Sequence, residues 1–332
     1  MCENSVLIIG DKGVGKTTMI YKFLEKDEVS KPTIALDYSF GRKANKNLSR
    51  DLIHIWEVGH LTASIINAGL VGASTQLQSK ITTQPKTEPT FIIMLNLMAT
   101  NTIWLSLETC LNAAWAAIKI YYDDATIEQM KHQRHKELEA AASGNVDGKF
   151  INPFPLKLSI IGGQYDKFKK LDFATKQTIG RILRGIAYNL GADLQYYSSK
   201  EGSLIRKMKE LMSYYGFNHQ RSKECICDYN HALLIPSGTV ADDDSVANSA
   251  IIVDKIKRIF LTNPNTNNHN NNQLLLLNND QESLNDNPID DPNFNEAVID
   301  HLRSQRNEEI EINLEKMMEG NLSKNIIITD PY

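Results

Sequence analysis

The sequence has few cysteines, no long apolar segment and no excess of positive charge. Four cysteines among 332 residues are too few and too irregularly placed for a disulfide framework, which favours a reducing compartment. No apolar run approaches the length of about 18 residues that a membrane span needs, so none is predicted. A formal net charge of −4 argues against a broadly basic nucleic-acid-binding protein. The apolar run Val6–Ile9 is short and no basic segment precedes it, so no signal peptide is predicted and we expect a cytosolic protein.

What the chain does contain suits a globular protein with a real core. Apolar residues make up 42% and charged residues 23% of the sequence. Short apolar runs alternate with helical patterns, and several runs are continuous, as in strands covered on both faces. The predicted strands are Ser5–Ile9, Ile34–Phe40, Leu52–Trp56, Phe91–Leu97, Leu156–Ile161 and Leu194–Tyr197, and the predicted helices are Lys16–Leu24, Ile103–Tyr121, Phe173–Asn189 and Ser203–Tyr215. This alternation predicts an α/β fold with a doubly wound, mostly parallel sheet.

The domain organisation follows from shifts in composition. Residues 1–261 are predicted to form one phosphate-loop domain, with a polar surface insertion at about 123–150. Within it, Ile127–Ala142 is predicted to be a solvated helix with a thin apolar edge. Thirteen Asn lie between Asn263 and Asn295, most of them within residues 262–292. This segment is predicted to be a disordered linker. A charged helix at 293–320, either solvated or partner-binding, and a tail at 321–332 complete the chain.

One local motif carries the strongest functional signal. Residues 10–17 match in full the phosphate-binding loop G-x-x-x-x-G-K-[ST], between a predicted strand and a predicted helix. Glycines let backbone N–H groups surround phosphate oxygens, and the helix N-terminus favours negative charge. Lys16 is expected to reach the outer phosphates, and the Thr17 hydroxyl is expected to hold Mg²⁺. The predicted loop residues are Gly10, Asp11, Lys12, Gly13, Val14, Gly15, Lys16, Thr17 and Thr18.

The elements that would complete a nucleotide switch are altered. Thr33 lies where guanine-nucleotide switches place a second metal-contacting threonine, although a plain strand start also explains it. In the Asp-x-x-Gly element, Glu57 replaces the aspartate and His60 the glycine, and Leu61 follows where a water-orienting Gln is usual. Hydrolysis is therefore expected to be slow or absent. A histidine can in principle position water, and an exposed loop residue is the alternative interpretation of His60.

The base-reading elements are only partly present. A guanine reader needs Asn-Lys-x-Asp, but residues 163–166 read Gly-Gln-Tyr-Asp, so only Asp166 remains. Ser199 and Lys200 belong to a Ser-Ser-Lys sequence that resembles the Ser-Ala-Lys loop of a base pocket. Both partial motifs follow predicted strands, which supports the fold more than it supports binding.

With these positions in view, the sequence resembles the light intermediate chains of cytoplasmic dynein 2, the motor of retrograde intraflagellar transport. The matching segments are residues 31–42 (KPTIALDYSFGR), 54–59 (HIWEVG), 151–155 (INPFP), 160–166 (IIGGQYD), 197–200 (YSSK) and 291–294 (DPNF). The resemblance runs from about residue 5 to residue 320. The chain departs from this resemblance in two places. The segment Leu61–Glu88 is longer than in the family, and the Asn-rich linker has no counterpart there.

The resemblance implies a small-GTPase-like domain that serves as a structural, non-catalytic subunit. It implies binding to the dynein 2 heavy chain and other dynein 2 subunits, and indirectly to intraflagellar transport particles. It also implies a place in the cytoplasm, in the cytoskeleton and in the cilium, including basal body and axoneme. GTP or GDP with Mg²⁺ is the expected cofactor, although His60 and Gln164 leave open that the site is empty.

Two other functions stay open at this point. One is an active small GTPase that switches between GTP and GDP through the phosphate loop, since a partner's arginine can restore hydrolysis by a factor of about 10³–10⁵. The other is a different phosphate-loop enzyme such as a nucleoside kinase. No arginine-rich lid or second substrate motif supports the kinase.

Overall fold

A seven-stranded sheet organises the first part of the chain. The computed structural model describes residues 3–44, 50–77, 88–141, 153–222, 224–239 and 297–318. The elements in chain order are β1 (Glu3–Gly10), α1 (Lys16–Leu24), β2 (Leu36–Ala44), β3 (Arg50–Val58), α2 (Ala63–Leu77), β4 (Thr90–Asn96), α3 (Ile103–Tyr121), α4 (Asp124–Ala141), β5 (Leu158–Gly163), α5 (Tyr165–Phe168), α6 (Phe173–Asn189), β6 (Asp193–Tyr196), α7 (Gly202–Phe217), β7 (Leu234–Ile235) and α8 (Ala297–Met318).

The sheet has the strand order β2-β3-β1-β4-β5-β6-β7. Strands β3, β1, β4, β5 and β6 run parallel, with Ile8 of β1 opposite both Glu57 and Ile92. Strands β2 and β7 at the two ends are antiparallel to their neighbours. The predicted α/β fold with a mostly parallel, doubly wound sheet is confirmed.

Helices cover both faces of the sheet, and the strands therefore have two buried sides. Along β1, Leu7 and Ile9 pack into one core with α2, α3 and α6, whereas Val6 and Ile8 pack into the other with α1 and α7. All four side chains are fully buried. This two-sided burial explains the continuous apolar run in the sequence.

Three elements escaped the sequence prediction: α2, the short α5 and the two-residue β7. Helix α2 lies in the Leu61–Glu88 region, of which residues 78–87 are outside the described part. The helix contains Gly72, and glycine disfavours a helix by about 1 kcal/mol relative to alanine. In the structure a Cβ at Gly72 would lie 2.6 Å from the Trp56 ring, so glycine is needed where the helix packs closely on β3.

The polar helix of the predicted insertion is not a plain solvated helix. Helix α4 buries Ile127, Met130 and Leu138, which are at most 5% exposed. Arg134 also donates from Nη2 to the carbonyl oxygen of Gly191 over 3.1 Å. The expectation of a solvated helix was therefore wrong on this face, because three well-spaced apolar residues suffice to attach a helix to the core. Residues 142–150 lie outside the described part.

The chain divides into two units, Met1–Asn268 and His269–Tyr332. Of the second unit the structure describes α8, which lies within the predicted 293–320 and leaves Leu302, Ile310 and Ile312 about half exposed. The predicted linker 262–292 and tail 321–332 lie outside the described residues. None of the described helices is both long enough and apolar enough to cross a membrane.

Candidate functional site

The predicted phosphate loop connects β1 to α1 in a left-handed backbone path. Gly10, Gly13 and Gly15 have φ angles of 149°, 74° and 104°. Only glycine adopts such angles without strain, so the glycine pattern of the sequence dictates the turn. Val14 is 3% exposed and anchors the loop in the core between α1 and α7. The loop therefore turns the Val14 side chain into the core, while Gly13 and Gly15 line the cavity above it.

Lys16 is the buried cation of this loop. It is 5% exposed, and its Nζ donates to the carbonyl oxygens of Gly10 and Asp11, each over 2.8 Å. Burial lowers the pKa of Lys16, while nearby Glu57 opposes that shift. A buried ammonium group held only by carbonyl oxygens favours an anion at the loop.

Thr17, Thr33 and Glu57 come together beside Lys16, although they come from three different segments. The Thr17 hydroxyl donates to Oε1 of Glu57 over 2.7 Å. Glu57 is 3% exposed, and its Oε2 has no hydrogen-bond partner among the described residues. Burial raises the pKa of Glu57, although Thr17, Lys16 and Thr33 favour its charged form. These hard oxygen donors, one of them unpaired, fit Mg²⁺.

Two neighbouring cavities form the site. The first has a volume of about 280 Å³ and is lined by Lys12, Lys16 and Lys31 together with Glu57. The second has a volume of about 210 Å³ and is lined by residues of the predicted base pocket. Both share Gly13, Gly15 and Thr18 as walls, so they form adjoining parts of one groove. Its size and excess of lysines suit a phosphorylated nucleotide.

The second cavity brings Asp166, Ser199 and Lys200 together, as the sequence predicts. Lys200 Nζ lies 3.0 Å from Oδ2 of Asp166, and the Ser198 hydroxyl donates to Oδ1 over 3.0 Å. The hydrogen bond from Lys200 is the main cause that lowers the pKa of Asp166. The carboxylate that would read a base is therefore already engaged by the chain itself.

Lys167 is a lining residue that the sequence motifs did not indicate. It follows Asp166 and donates from Nζ to Oε1 of Gln164 over 3.1 Å. Gln164, at φ 60°, stands where the lysine of a guanine reader is expected. The short helix α5 brings the aliphatic stem of Lys167 to the same cavity. A search for any lysine within one helical turn of Asp166 would have found it.

The two residues after Gly59 play no part in lining the phosphate cavity. Gly59 lines it, and a Cβ there would lie 2.1 Å from the carbonyl oxygen of Thr33. His60 and Leu61 are absent from that lining, and Leu61 packs partly buried against the core with α2 and α3. The described part of this cavity thus offers no Gln-like side chain to orient a water molecule.

Comparison with known proteins finds similar chains. No protein-family model matches the chain. The chain is 28% identical over 314 residues to cytoplasmic dynein 2 light intermediate chain 1 of zebrafish. The match covers 93% of this chain and 85% of the zebrafish protein. The rat protein of the same name is 29% identical over 320 residues, covering 93% of this chain and 87% of the relative. Over most of its length the chain is similar to the dynein 2 light intermediate chains.

A solved structure supports the fold. The conserved domain of a dynein light intermediate chain superposes with a TM-score of 0.58. The match covers 77% of this chain and 90% of that domain at 11% sequence identity, so it bears on the fold alone. The resemblance predicted from the sequence is confirmed by the curated relatives, including the human protein at 27% identity over 94% of this chain.

Replacing Glu57 by Gln is expected to stabilise the nucleotide-free protein at neutral pH by about 1–2 kcal/mol, because it removes a buried charge with an unpaired oxygen. The raised pKa of Glu57 means that ionisation is penalised in the folded state. The gain should therefore be full at pH values above that raised pKa and vanish below the ordinary value of 4.5. Thermal denaturation in EDTA at several pH values measures it, with exposed Glu28→Gln as control. A stability difference that grows as the pH falls would contradict the expectation.

Proposed function

We propose that this protein is a non-catalytic light intermediate chain subunit of the cytoplasmic dynein 2 complex. The observation that carries the proposal is similarity over 93% of the chain to relatives that all bear this name. The fold supports it, since a dynein light intermediate chain domain has the same architecture. In this role the protein binds and stabilises the dynein 2 heavy chain for retrograde intraflagellar transport and cilium assembly.

The proposed partners are the heavy chain, the other dynein 2 subunits and, through them, intraflagellar transport particles. The corresponding locations are the cytoplasm, the cytoskeleton, and the basal body and axoneme of the cilium. Helix α8 offers a second contact besides the phosphate-loop domain, because Leu302, Ile310 and Ile312 are about half exposed along it. Exposed apolar side chains on a charged helix suit a partner helix.

Truncation after Leu261 is expected to leave a folded phosphate-loop domain but to reduce heavy-chain recovery. Because the truncated chain lacks α8, we expect at least about a tenfold loss in co-purification from cells, the scale of losing one modest contact surface. The matched control deletes residues 263–292 alone and keeps α8, and it should retain the heavy chain. Unchanged recovery with the truncated chain would refute the role of α8, and no recovery with the full chain would refute the proposed function.

We further propose that the groove holds GTP or GDP with Mg²⁺ as a structural ligand. Lys16 and the loop N–H groups would bind the phosphates, and Thr17, Thr33 and Glu57 would hold the metal. Asp166, Ser199 and Lys200 would face the base, which requires Asp166 to exchange Lys200 for the base edge. A nucleotide confined to the folded state stabilises that state by mass action.

Turnover of this nucleotide is not part of the proposal. Oxygen ligands and a lysine can bind a triphosphate, but hydrolysis also needs an oriented water molecule. Leu61 is apolar and packs against the core, and His60 does not line the cavity. These features support a bound nucleotide that stabilises the fold and is not hydrolysed.

An active GTPase switch is the second candidate, and the complete phosphate loop is the observation that favours it. Purified protein that turns over GTP at a rate abolished by Lys16→Ala would establish the switch and overturn the non-catalytic reading. The same assay with Lys22→Ala, an exposed lysine on the same helix α1, excludes a general effect of removing charge.

Lys16→Ala is expected to lower nucleotide recovery from freshly purified, denatured protein at least about tenfold, because a charge-assisted phosphate contact is worth about 1.5–3 kcal/mol. Chromatography of the released small molecules also identifies the base. The Lys22→Ala control should keep the wild-type amount. Equal recovery from both variants would contradict phosphate binding by Lys16, while absence of nucleotide from the wild type would contradict the cofactor proposal.

A further inference from the structure

Strand β2 is a long, exposed edge of the sheet. It has nine residues and pairs antiparallel with β3 on one side, and no other described strand pairs with its outer side. An unpaired edge of this length usually carries features that prevent pairing, such as proline or a bulge. The pairing of β2 with β3 is regular from Leu36 to Ala44, and the strand contains no proline.

The pairing pattern decides which groups point outward. Gly59 donates its backbone N–H to the carbonyl oxygen of Ala35 over 2.8 Å. Because hydrogen-bonded pairs alternate along an antiparallel ladder, odd-numbered residues of β2 bond to β3. The even-numbered Tyr38, Phe40 and Arg42 therefore direct their backbone N–H and C=O groups away from the sheet.

The side chains of these same residues form a stack that reaches the edge. Tyr38 is 38% and Phe40 48% exposed, with ring centroids 6.3 Å apart. Tyr38 rests on Trp56 at 4.7 Å, and the Arg42 guanidinium lies 4.9 Å from the Phe40 ring centroid. Exposed, mutually fixed aromatic side chains beside unpaired backbone are typical of a surface that takes another strand.

The sequence of β2 is complementary to itself when read in reverse. A two-fold axis at Phe40 places Tyr38 opposite Arg42 of a second copy, an aromatic side chain opposite a guanidinium group. On the other face it places Asp37 opposite Lys43 of the second copy, and this opposite-charge pair occurs twice. Shifting the axis by a single residue, to Ser39 or Gly41, loses the Asp37–Lys43 pairing.

We propose that β2 is a self-association edge, through which two copies of this chain pair antiparallel about a two-fold axis at Phe40. The outward N–H and C=O groups of Tyr38, Phe40 and Arg42 then find partners in the second copy. The two sheets join into one continuous sheet of fourteen strands, since each copy contributes seven. Such an isologous interface is the commonest form of homodimer.

The dimer should be weak, because one strand pair buries less surface than a standard interface. Its dissociation constant is expected on the order of tens of micromolar. Sedimentation velocity of the full-length chain, from low micromolar to several hundred micromolar, therefore measures it. We expect a monomer at the low end and a dimer at the high end.

Charge reversal tests the register. Asp37→Lys alone and Lys43→Asp alone each place like charges opposite one another twice, so each should weaken the dimer at least about tenfold. Lys43 also donates to Nδ1 of His219 in its own chain, so circular dichroism must confirm that both variants fold. Mixing the two variants restores opposite charges across the axis, and a heterodimer of wild-type affinity should form.

This mixing experiment makes the proposal falsifiable. A heterodimer from two variants that are each monomeric supports both the surface and the register. A wild type that stays monomeric at all concentrations would overturn the proposal, as would single variants that dimerise normally. If the variants instead lose a different bound protein, the edge belongs to that protein and self-pairing is wrong.

Discussion

Gly10→Ala is expected to cost at least about 3 kcal/mol of folding free energy, among the largest effects of a single methyl group. A Cβ at this position would lie 2.1 Å from the carbonyl oxygen of Met94, which belongs to the central strand β4. The φ angle of 149° is also in a region that side-chain-bearing residues rarely adopt. The residues of β1 and β4 around this contact are buried between helices, so relieving the clash would displace packed strands. Urea denaturation followed by circular dichroism measures the loss.

Gly202→Ala is the matched control for this prediction. It is the same substitution, but a Cβ at Gly202 meets no atom within 4 Å, and the residue begins α7. Its effect should lie within about 1 kcal/mol and is expected to be neutral or stabilising. Similar unfolding midpoints for the two variants would contradict the close packing of β1 against β4 at Gly10.

Asp193→Ala is expected to destabilise the protein by about 3–5 kcal/mol, because it leaves a buried cation unpaired. Asp193 is 1% exposed and accepts hydrogen bonds from the Tyr215 hydroxyl, from Arg221 Nη1 over 2.6 Å and from the Ser237 backbone N–H over 2.6 Å. Burial by itself would lower the pKa of Arg221, but Asp193 raises it overall. One carboxylate thus connects β6, α7, the segment after α7 and the segment after β7.

A double-mutant cycle separates this ion pair from simple loss of packing. Asp193→Ala combined with Arg221→Met removes both charges, so its cost should be smaller than the sum of the two single variants by at least about 1 kcal/mol. Asp228→Ala removes an exposed carboxylate that accepts hydrogen bonds from the nearby Asn230 and His231, and it should destabilise the protein far less than Asp193→Ala does. Additive costs in the cycle would show that Asp193 and Arg221 do not act as a pair.

The phosphate loop could be predicted from the sequence because its geometry is local. Three glycines at fixed spacing, one lysine and one threonine specify the turn between β1 and α1 without reference to the rest of the chain. The buried strands were also predictable, since parallel strands between two helix layers are continuous apolar runs. Helices α1, α3 and α6 begin and end at the predicted residues.

The remaining features depend on contacts between distant segments. Gly72 disfavours a helix locally, and the close contact with Trp56 that calls for glycine there joins distant segments, so the local pattern does not reveal α2. In the sequence, the three apolar residues of α4 form only a thin apolar edge. Their burial depends on the core against which they pack, and the sequence of α4 does not show that core. The engagement of Asp166 in α5 by Lys200 joins residues 34 positions apart, and no motif encodes it.

Gly59 connects the phosphate groove to the outer edge of the sheet. Its N–H holds the carbonyl of Ala35 just before β2, and it packs directly on the backbone of Thr33, which lines the groove. Through Gly59, Thr33 is thus in contact with both the groove and the residue that precedes β2. If a ligand that fixes Thr33 changes the affinity at the β2 edge, a strand docked there must change the affinity of the groove by the same factor.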